Sequence, residues 1–153
     1  MDKNEDSYST LSTESLEDTE QSSSQRNDIG LNEEQINRLL NNIQQVMDDV
    51  NIISRSDFNM SMLAEITHSN VKYVSWVIND AYGKNFKTLL NECRIREASK
   101  RLVDTENYGH MTIQAIYEEL GYNTAASFVQ AFKKINGMTP SLYQKIARQN
   151  EQE

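Results

Sequence analysis

Four side chains between residues 72 and 79 have types and spacing that suit contact with the bases of a nucleic acid. Lys72 can reach guanine acceptors or phosphates, Asn79 can bond adenine through two hydrogen bonds, and Trp76 offers an apolar surface to thymine methyl groups. Ser75 completes the set at i, i+3, i+4 and i+7, which is one face of a helix. For Trp76, cover for a neighbouring helix or contact with a partner protein is the alternative. The opposite face is predicted to be buried and comprises Val74, Val77, Ile78 and Ala81.

A second polar face lies further along the chain, at Ser127, Gln130 and Lys134. Asn123 or Thr124 is expected to cap the helix that bears this face, so that free backbone N–H groups and a lysine can hold phosphates. An ordinary solvated position is the alternative for each lysine. The remaining members of the face are Ala125, Ala126 and Lys133. The core stripe predicted opposite it is Phe128, Ala131, Phe132 and Ile135. Because alanine offers methyl contacts but no hydrogen bonds, we expect contacts mainly to the DNA backbone.

Both faces belong to a repeated pattern of two short helices about a tight turn. Residues 60–84 and 111–137 each contain an apolar stripe, a turn and a second helix ending at a glycine, Gly83 or Gly137. Two short helices about such a turn form a helix–turn–helix unit. Between the units, residues 85–106 predict a longer helix whose apolar residues change face halfway, as a linker docking one unit on each side requires. The two apolar sets are Phe86, Leu89, Leu90 and Cys93, then Ile95, Ala98 and Leu102.

The predicted fold class is all-α, with residues 31–153 as one domain. Asn32 is the expected N-cap of an additional amphipathic helix at residues 33–50. Its apolar stripe either pairs two chains as a short coiled coil or caps the adjoining core. Residues 1–30 are rich in Ser, Thr, Asp, Glu and Gln, and are predicted to be a disordered acidic leader or linker.

Charge is distributed unevenly along the 153 residues, whose formal net charge is −8. Residues 1–30 hold eight acids and two bases, whereas residues 60–148 hold eleven bases and eight acids. The second segment is mildly basic, which is compatible with phosphate contacts. Its densest basic run is Arg94, Arg96, Lys100 and Arg101. Since Glu92 and Glu97 stand at spacings that permit pairs within one helix, structural pairing is the preferred interpretation of this run.

The sequence lacks the residue groupings of a catalytic, metal or cofactor site. We find no glycine-rich phosphate loop, nucleophile motif or paired acid and base, so an enzyme is not expected. His68 and His110 are predicted turn residues without metal-ligand spacing. The single cysteine, Cys93, is predicted to be a buried, inert thiol. With no signal peptide and no membrane-spanning apolar run, a cytoplasmic protein without a membrane partner is expected.

The stretch from Met60 to Lys145 resembles the DNA-binding domain of the AraC/XylS family of bacterial transcription regulators. The resemblance rests on these segments: Arg94 to Leu102, Thr112-Ile113 with Ile116, Gly121-Tyr122, Phe128, Ala131 to Lys134, Gly137 to Ser141, and Tyr143. It implies a seven-helix fold whose two recognition helices enter successive major-groove segments of double-stranded DNA. It also implies a sequence-specific regulator, for which recruiting or blocking RNA polymerase is the leading hypothesis. A homodimer through the 33–50 helix, or through a missing N-terminal part, is an open alternative.

Carried over by position, the family's base-contacting residues are Lys72, Ser75, Trp76, Ala125, Ala126, Ser127 and Gln130. This chain departs from the family at Trp76 and Gln130, where arginine is common. His68 replaces a usual glycine, and Tyr117 replaces a usually small residue. We expect the first unit to supply most of the specificity and the second mostly anchorage. The alternative function is a helical protein-interaction module that has lost its DNA contacts and binds a partner through Trp76 and the 33–50 stripe.

Overall fold

The computed structural model describes residues 29–152, and every regular element within that range is a helix. The helices are α1 Glu33–Met47, α2 Val50–Ile53, α3 Met60–Ile66, α4 Val71–Tyr82, α5 Phe86–Val103, α6 Thr105–Tyr108, α7 Ile113–Glu119, α8 Ala125–Asn136 and α9 Pro140–Glu151. The all-α class is confirmed. Seven of these helices have seven or more residues, and α2 and α6 are single turns of four. No helix within residues 29–152 is both long and apolar enough to cross a bilayer.

The chain divides into an N-terminal segment and a C-terminal segment, with the boundary inside α1 after Arg38. In the N-terminal segment, Asn32 and Gln35 form a reciprocal capping box, in which each side chain accepts a hydrogen bond from the other's backbone N–H. Asn32 is therefore the N-cap of α1, as predicted. Of the predicted acidic leader, residues 1–28 lie outside the described range, and residues 29 and 30 form a turn. The C-terminal segment contains both helix–turn–helix units and the helix between them.

Short polar side chains and glycines set the limits of the helices. Asn70 caps α4 by accepting a hydrogen bond from the Tyr73 backbone N–H at 2.9 Å, and Asn85 caps α5 in the same way. Gly83 and Gly137 end α4 and α8 in the left-handed conformation, at φ 66° and 75°. The glycine stops predicted for both units are thus confirmed.

Two predicted helices are shorter than expected because an aspartate begins a new helix inside each. The predicted 33–50 helix ends at Met47, since the Asp49 carboxylate accepts from the Asn51 N–H at 3.0 Å and caps α2. The predicted 85–106 linker ends at Val103, since Asp104 caps α6. In both places a local cap competes with continuation of the helix and wins.

The linker helix α5 buries two different faces, as predicted. Leu89, Leu90 and Cys93 are buried on one side, and Phe86 is half-buried, with its ring 5.5 Å from that of Phe58. The other side enters the core of the second helix–turn–helix unit, a cluster made of Ile95, Ala98, Leu102, Ile116, Tyr117, Leu120, Tyr122, Phe128, Ala131 and Phe132. A helix buried on two faces holds both units at a fixed separation.

Four aromatic rings contact one another in sequence through the core of the second helix–turn–helix unit. Tyr117 lies 5.3 Å from Phe128, Phe128 lies 5.7 Å from Phe132, and Phe132 lies 5.3 Å from Tyr143. Such tilted or edge-to-face pairs add to the free energy of burial. Tyr117, which replaces a usually small residue, is 8% exposed and is thus accommodated in the core.

Two residues of the predicted buried stripes are exposed instead. Ala81 lies in the last turn of α4, where Asn79 and Asp80 are also exposed, so this turn extends beyond the core. Ile135 is 42% exposed near the end of α8, although Phe132 in the preceding turn is fully buried. In both helices the apolar periodicity runs one turn further than the core does.

The α1 stripe packs within this chain. Leu39, Ile43, Val46 and Met47 are each at most 7% exposed in a single copy of the chain. Burial of this extent leaves little apolar surface for a second helix, which favours the core-capping alternative over the coiled coil.

A buried arginine joins three parts of the C-terminal segment. Arg94 is 7% exposed; its Nε donates to the Ile53 carbonyl at 2.6 Å and its Nη2 to the Arg55 carbonyl at 2.7 Å. Its guanidinium also lies 5.5 Å from the centre of the Tyr122 ring. Burial lowers the pKa of Arg94 and raises the pKa of Tyr122 to about 12. The end of α2 with the residues that follow it, the linker helix and the turn of the second helix–turn–helix unit are thereby tied together.

Replacing Gly121 tests this junction. Gly121 has φ +93°, and an added Cβ would lie 2.8 Å from both the Ser54 carbonyl oxygen and Arg94 Nη2. We expect Gly121→Ala to lower the free energy of unfolding by about 3 kcal/mol, because backbone strain and overlap add. Gly83→Ala is the matched control: Gly83 also has positive φ but nothing within 4 Å, so its cost should be about 1 kcal/mol. Urea unfolding followed by circular dichroism measures both, and equal losses would contradict the role of the junction.

Candidate nucleic-acid interface

The first predicted face is present on α4, opposite its buried side. Lys72 and Asn79 are exposed, whereas Ser75 and Trp76 are half-buried. The buried side is Val74, Val77 and Ile78, each at most 1% exposed. Asn79 Nδ2 donates to the Ser75 carbonyl at 2.9 Å, so a contact of its carboxamide with adenine must replace this bond. Lys72 and the indole of Trp76 are therefore the groups on this face most directly available to a ligand.

The second predicted face is present on α8 and is wholly exposed. Its members Ala125, Ala126, Ser127, Gln130, Lys133 and Lys134 are all exposed, as is Asn123 before them. Thr124, and not Asn123, is the N-cap, because its Oγ1 accepts from the Ser127 N–H at 3.2 Å. The Ser127 hydroxyl in turn donates to the Thr124 carbonyl at 3.0 Å. The only hydroxyl on the α8 part of this face is thus engaged in the cap.

Sequence periodicity missed two exposed apolar side chains beside these faces. Val71, at the start of α4, is 44% exposed, and Val129 of α8 is 36% exposed. Exposed branched side chains on such helices can pack against thymine methyl groups or sugars. Each lies one residue from a predicted contact, Lys72 or Gln130, and neither belongs to the apolar stripe predicted for its helix.

The basic run of the linker helix divides into residues with and without partners. Arg101 pairs with Glu97 and with Glu119, both at 3.0 Å, which confirms structural pairing for this residue. Arg94 is held by backbone carbonyls instead of an acid. Glu92 pairs with Lys84 at 2.6 Å. Among residues 29–152, no ion pair includes Arg96 or Lys100, and both side chains are exposed.

The histidines lie in turns, as predicted. His68 has φ 55°, a left-handed conformation that explains why glycine is usual at this position. His110 follows α6 in a turn. Within residues 29–152, no group of three or more His, Cys, Asp or Glu side chains is placed to hold a metal ion.

Comparison with known proteins gives the family. A family model described as a helix-turn-helix domain matches residues 63–146, from α3 into α9. The chain belongs to the AraC-type helix-turn-helix family. It is 28% identical over 93 residues to the HTH-type transcriptional regulator YtdP of Bacillus subtilis, a match covering 61% of this chain and 12% of that protein. It is 30% identical over 101 residues to an HTH-type transcriptional regulator of Staphylococcus aureus, covering 66% and 13%. The chain thus spans about an eighth of the length of these relatives.

Solved structures share the fold of this AraC-type domain. The C-terminal domain of AraT, a response regulator from Geobacillus stearothermophilus, aligns with a TM-score of 0.60 and 28% identity, covering 71% of this chain and 84% of that one. A DNA-binding transcriptional dual regulator from Escherichia coli aligns with a TM-score of 0.61 at 21% identity, covering 71% and 90%. The first similarity supports the family and the second supports the fold. The chain is therefore a DNA-binding domain of the AraC type.

The environment of Cys93 leads to a chemical prediction. The thiol is 8% exposed on α5, and burial raises its pKa. We expect the native protein at pH 8 to react with a disulfide reagent at least about a hundredfold more slowly than the protein unfolded in urea. Release of the coloured thiol measures both rates, with Cys93→Ser as the unreactive control. Rapid stoichiometric reaction of the native protein would show that the thiol is accessible.

Proposed function

We propose that α4 and α8 enter two successive major-groove segments on one side of double-stranded DNA, and that this binding is sequence-specific and regulates transcription. The observation that supports it is the pair of polar faces, each on the second helix of a helix–turn–helix unit and each opposite a buried stripe. The linker helix α5 is buried against both units and fixes their separation. Two helices held in this way match a site with two half-patterns about one helical turn apart.

The two faces differ in the chemistry that they offer to bases. On α4, the exposed Lys72 makes no ion pair within the described residues 29–152 and Trp76 is an apolar plane, so this face can distinguish base pairs. On α8, the Ser127 hydroxyl is already bonded to Thr124, and much of the remaining surface is alanine and lysine. Lysines near the backbone bind phosphates without regard to sequence. We therefore infer that the first unit supplies most of the specificity and the second mostly anchorage.

The rest of the proposal concerns partners and context. Bound DNA would place the domain to recruit or block RNA polymerase. Residues 60–84, 85–106 and 111–137 act as first unit, linker and second unit. Because the α1 stripe is buried in its own chain, a homodimer would use a surface other than this stripe. We further propose that the domain works in the cytoplasm, without a cofactor and without enzymatic activity.

Substitutions on the two faces should have different effects on DNA selected from random sequence. Lys72→Ala and Trp76→Ala should each cost about 1–3 kcal/mol of binding free energy, and the loss should depend on particular base pairs. Lys133→Ala should weaken all operator variants by a similar factor, because it removes a phosphate contact. Lys87→Ala, an exposed linker position outside both faces, is the control. Fluorescence anisotropy across single-base operator variants measures these effects. Failure of the wild-type chain to bind any selected or genomic DNA at low salt would refute the proposed function.

Trp76 also gives a direct signal, because it is the only tryptophan in the chain. The selected operator should change its emission and reduce its quenching by acrylamide, since an indole in the groove loses contact with solvent. Unrelated duplex at raised salt, where nonspecific binding is weak, is the matched control. An unchanged emission at saturating operator would remove Trp76 from the interface and leave it available to a protein partner.

A further inference from the structure

A groove of about 570 Å³ opens between the linker helix α5 and the second recognition helix, α8. At one side of it lies Glu92, which pairs with Lys84 directly after the glycine that ends α4. At the other side lie Lys134 and Ile135 of α8. We call this the linker groove; Ile95, Arg96 and Ser99 of α5 also line it. The groove is therefore formed by α5 and α8, and the Lys84–Glu92 ion pair links its edge to the residue after the glycine that ends the first recognition helix, α4.

The linker groove has two cations that no acid neutralises within residues 29–152. Arg96 and Lys134 are exposed, and neither takes part in an ion pair formed in that range. Glu92, the carboxylate four residues before Arg96, pairs with Lys84 at 2.6 Å instead, and the adjacent Glu97 pairs with Arg101 at 3.0 Å. The groove therefore has a net positive charge without a structural use for it inside the described chain.

The remaining surface of the groove suits a sugar–phosphate strand. Ile95 is fully buried beneath it, and Ile135 is 42% exposed at its side, so apolar surface lies next to the two charges. Asn136 Nδ2 donates to Ser99 Oγ at 3.2 Å, so these two polar groups of the groove already hydrogen-bond each other. A deoxyribose packs against apolar side chains while its phosphates take charge-assisted hydrogen bonds from arginine and lysine.

We propose that the linker groove binds the DNA backbone at the centre of the site, with Arg96 and Lys134 contacting phosphates between the two half-patterns. This inference rests on the proposed function, because DNA that reaches from α4 to α8 must cross the face of α5 between them. The groove then gives a third point of contact, independent of base sequence. It also makes affinity depend on how easily the central base pairs bend toward the protein.

Charge removal at Arg96 is the first test, made on the full chain with its selected operator. Arg96→Gln should weaken binding about five- to tenfold at low salt, by the same factor for every base variant, and should reduce the slope of log affinity against log salt by about 1. Lys134→Gln should behave similarly. Lys87→Gln is the matched control, an exposed cation nine residues earlier on α5, about half a turn around the helix from Arg96. It should leave affinity and slope unchanged.

Neutral phosphate replacements locate the contact. Methylphosphonates at the centre of the operator should weaken wild-type binding, whereas the same replacements should have little further effect on Arg96→Gln. An unchanged salt slope for both Arg96→Gln and Lys134→Gln would overturn the proposal. So would additive losses from Arg96→Gln and the central replacements, because they would place the arginine elsewhere on the DNA. Either result leaves operator binding by the wild-type chain intact, and so is distinct from failure of the proposed function.

Discussion

The geometry of the C-terminal segment, which holds both helix–turn–helix units, depends on the burial of one guanidinium. Arg94 loses nearly all its contact with water, and the backbone carbonyls of Ile53, at the end of α2, and of Arg55 replace that water at 2.6 and 2.7 Å. An arginine keeps its charge in proteins, so burial without these acceptors would be strongly unfavourable. The space that the guanidinium occupies exists only because Gly121 has no Cβ. One charged side chain thus requires a specific backbone path both before the first unit and within the second.

A rigid linker changes what DNA binding demands. Because α5 is buried on two faces, the separation of α4 and α8 is set before DNA arrives. A flexible tether would let each unit find its groove independently, at an entropic cost on binding. Burial of α5 on two faces instead favours one arrangement of the two helices before binding, so under the proposed function the DNA would adapt to the protein. Sequence-dependent bending then becomes part of recognition even where no side chain meets a base.

Helical periodicity was enough to predict the two polar faces, the linker helix and the helix ends, because each depends on residues within a few positions. It failed where distant contacts decide the outcome. Arg94 stands three residues before Glu97, which suggested a pair, yet its acceptors lie 39 and 41 residues away. Ile135 follows the apolar period of α8, yet the core ends one turn earlier. The apolar stripe through Val50 predicts one continuous 33–50 helix, yet the Asp49 cap begins a separate helix at Val50. Periodicity locates a face but does not show which of its polar groups are already bonded.

Polar groups that are already bonded within the protein contribute less to DNA specificity than groups that are not. Ser127 lies on the exposed face of α8, but its hydroxyl already donates to the Thr124 carbonyl in the helix cap. On α4, the Asn79 carboxamide already donates to the Ser75 carbonyl. Exchanging such a bond for one to a base yields less net free energy than using a free group. Cations without an ion pair among residues 29–152 are not subject to this cost, and they include Lys72, Lys133, Lys134 and Arg96. Since cations chiefly bind phosphates, this domain should owe its affinity to charge spread over both units and its discrimination to the few unengaged groups of α4.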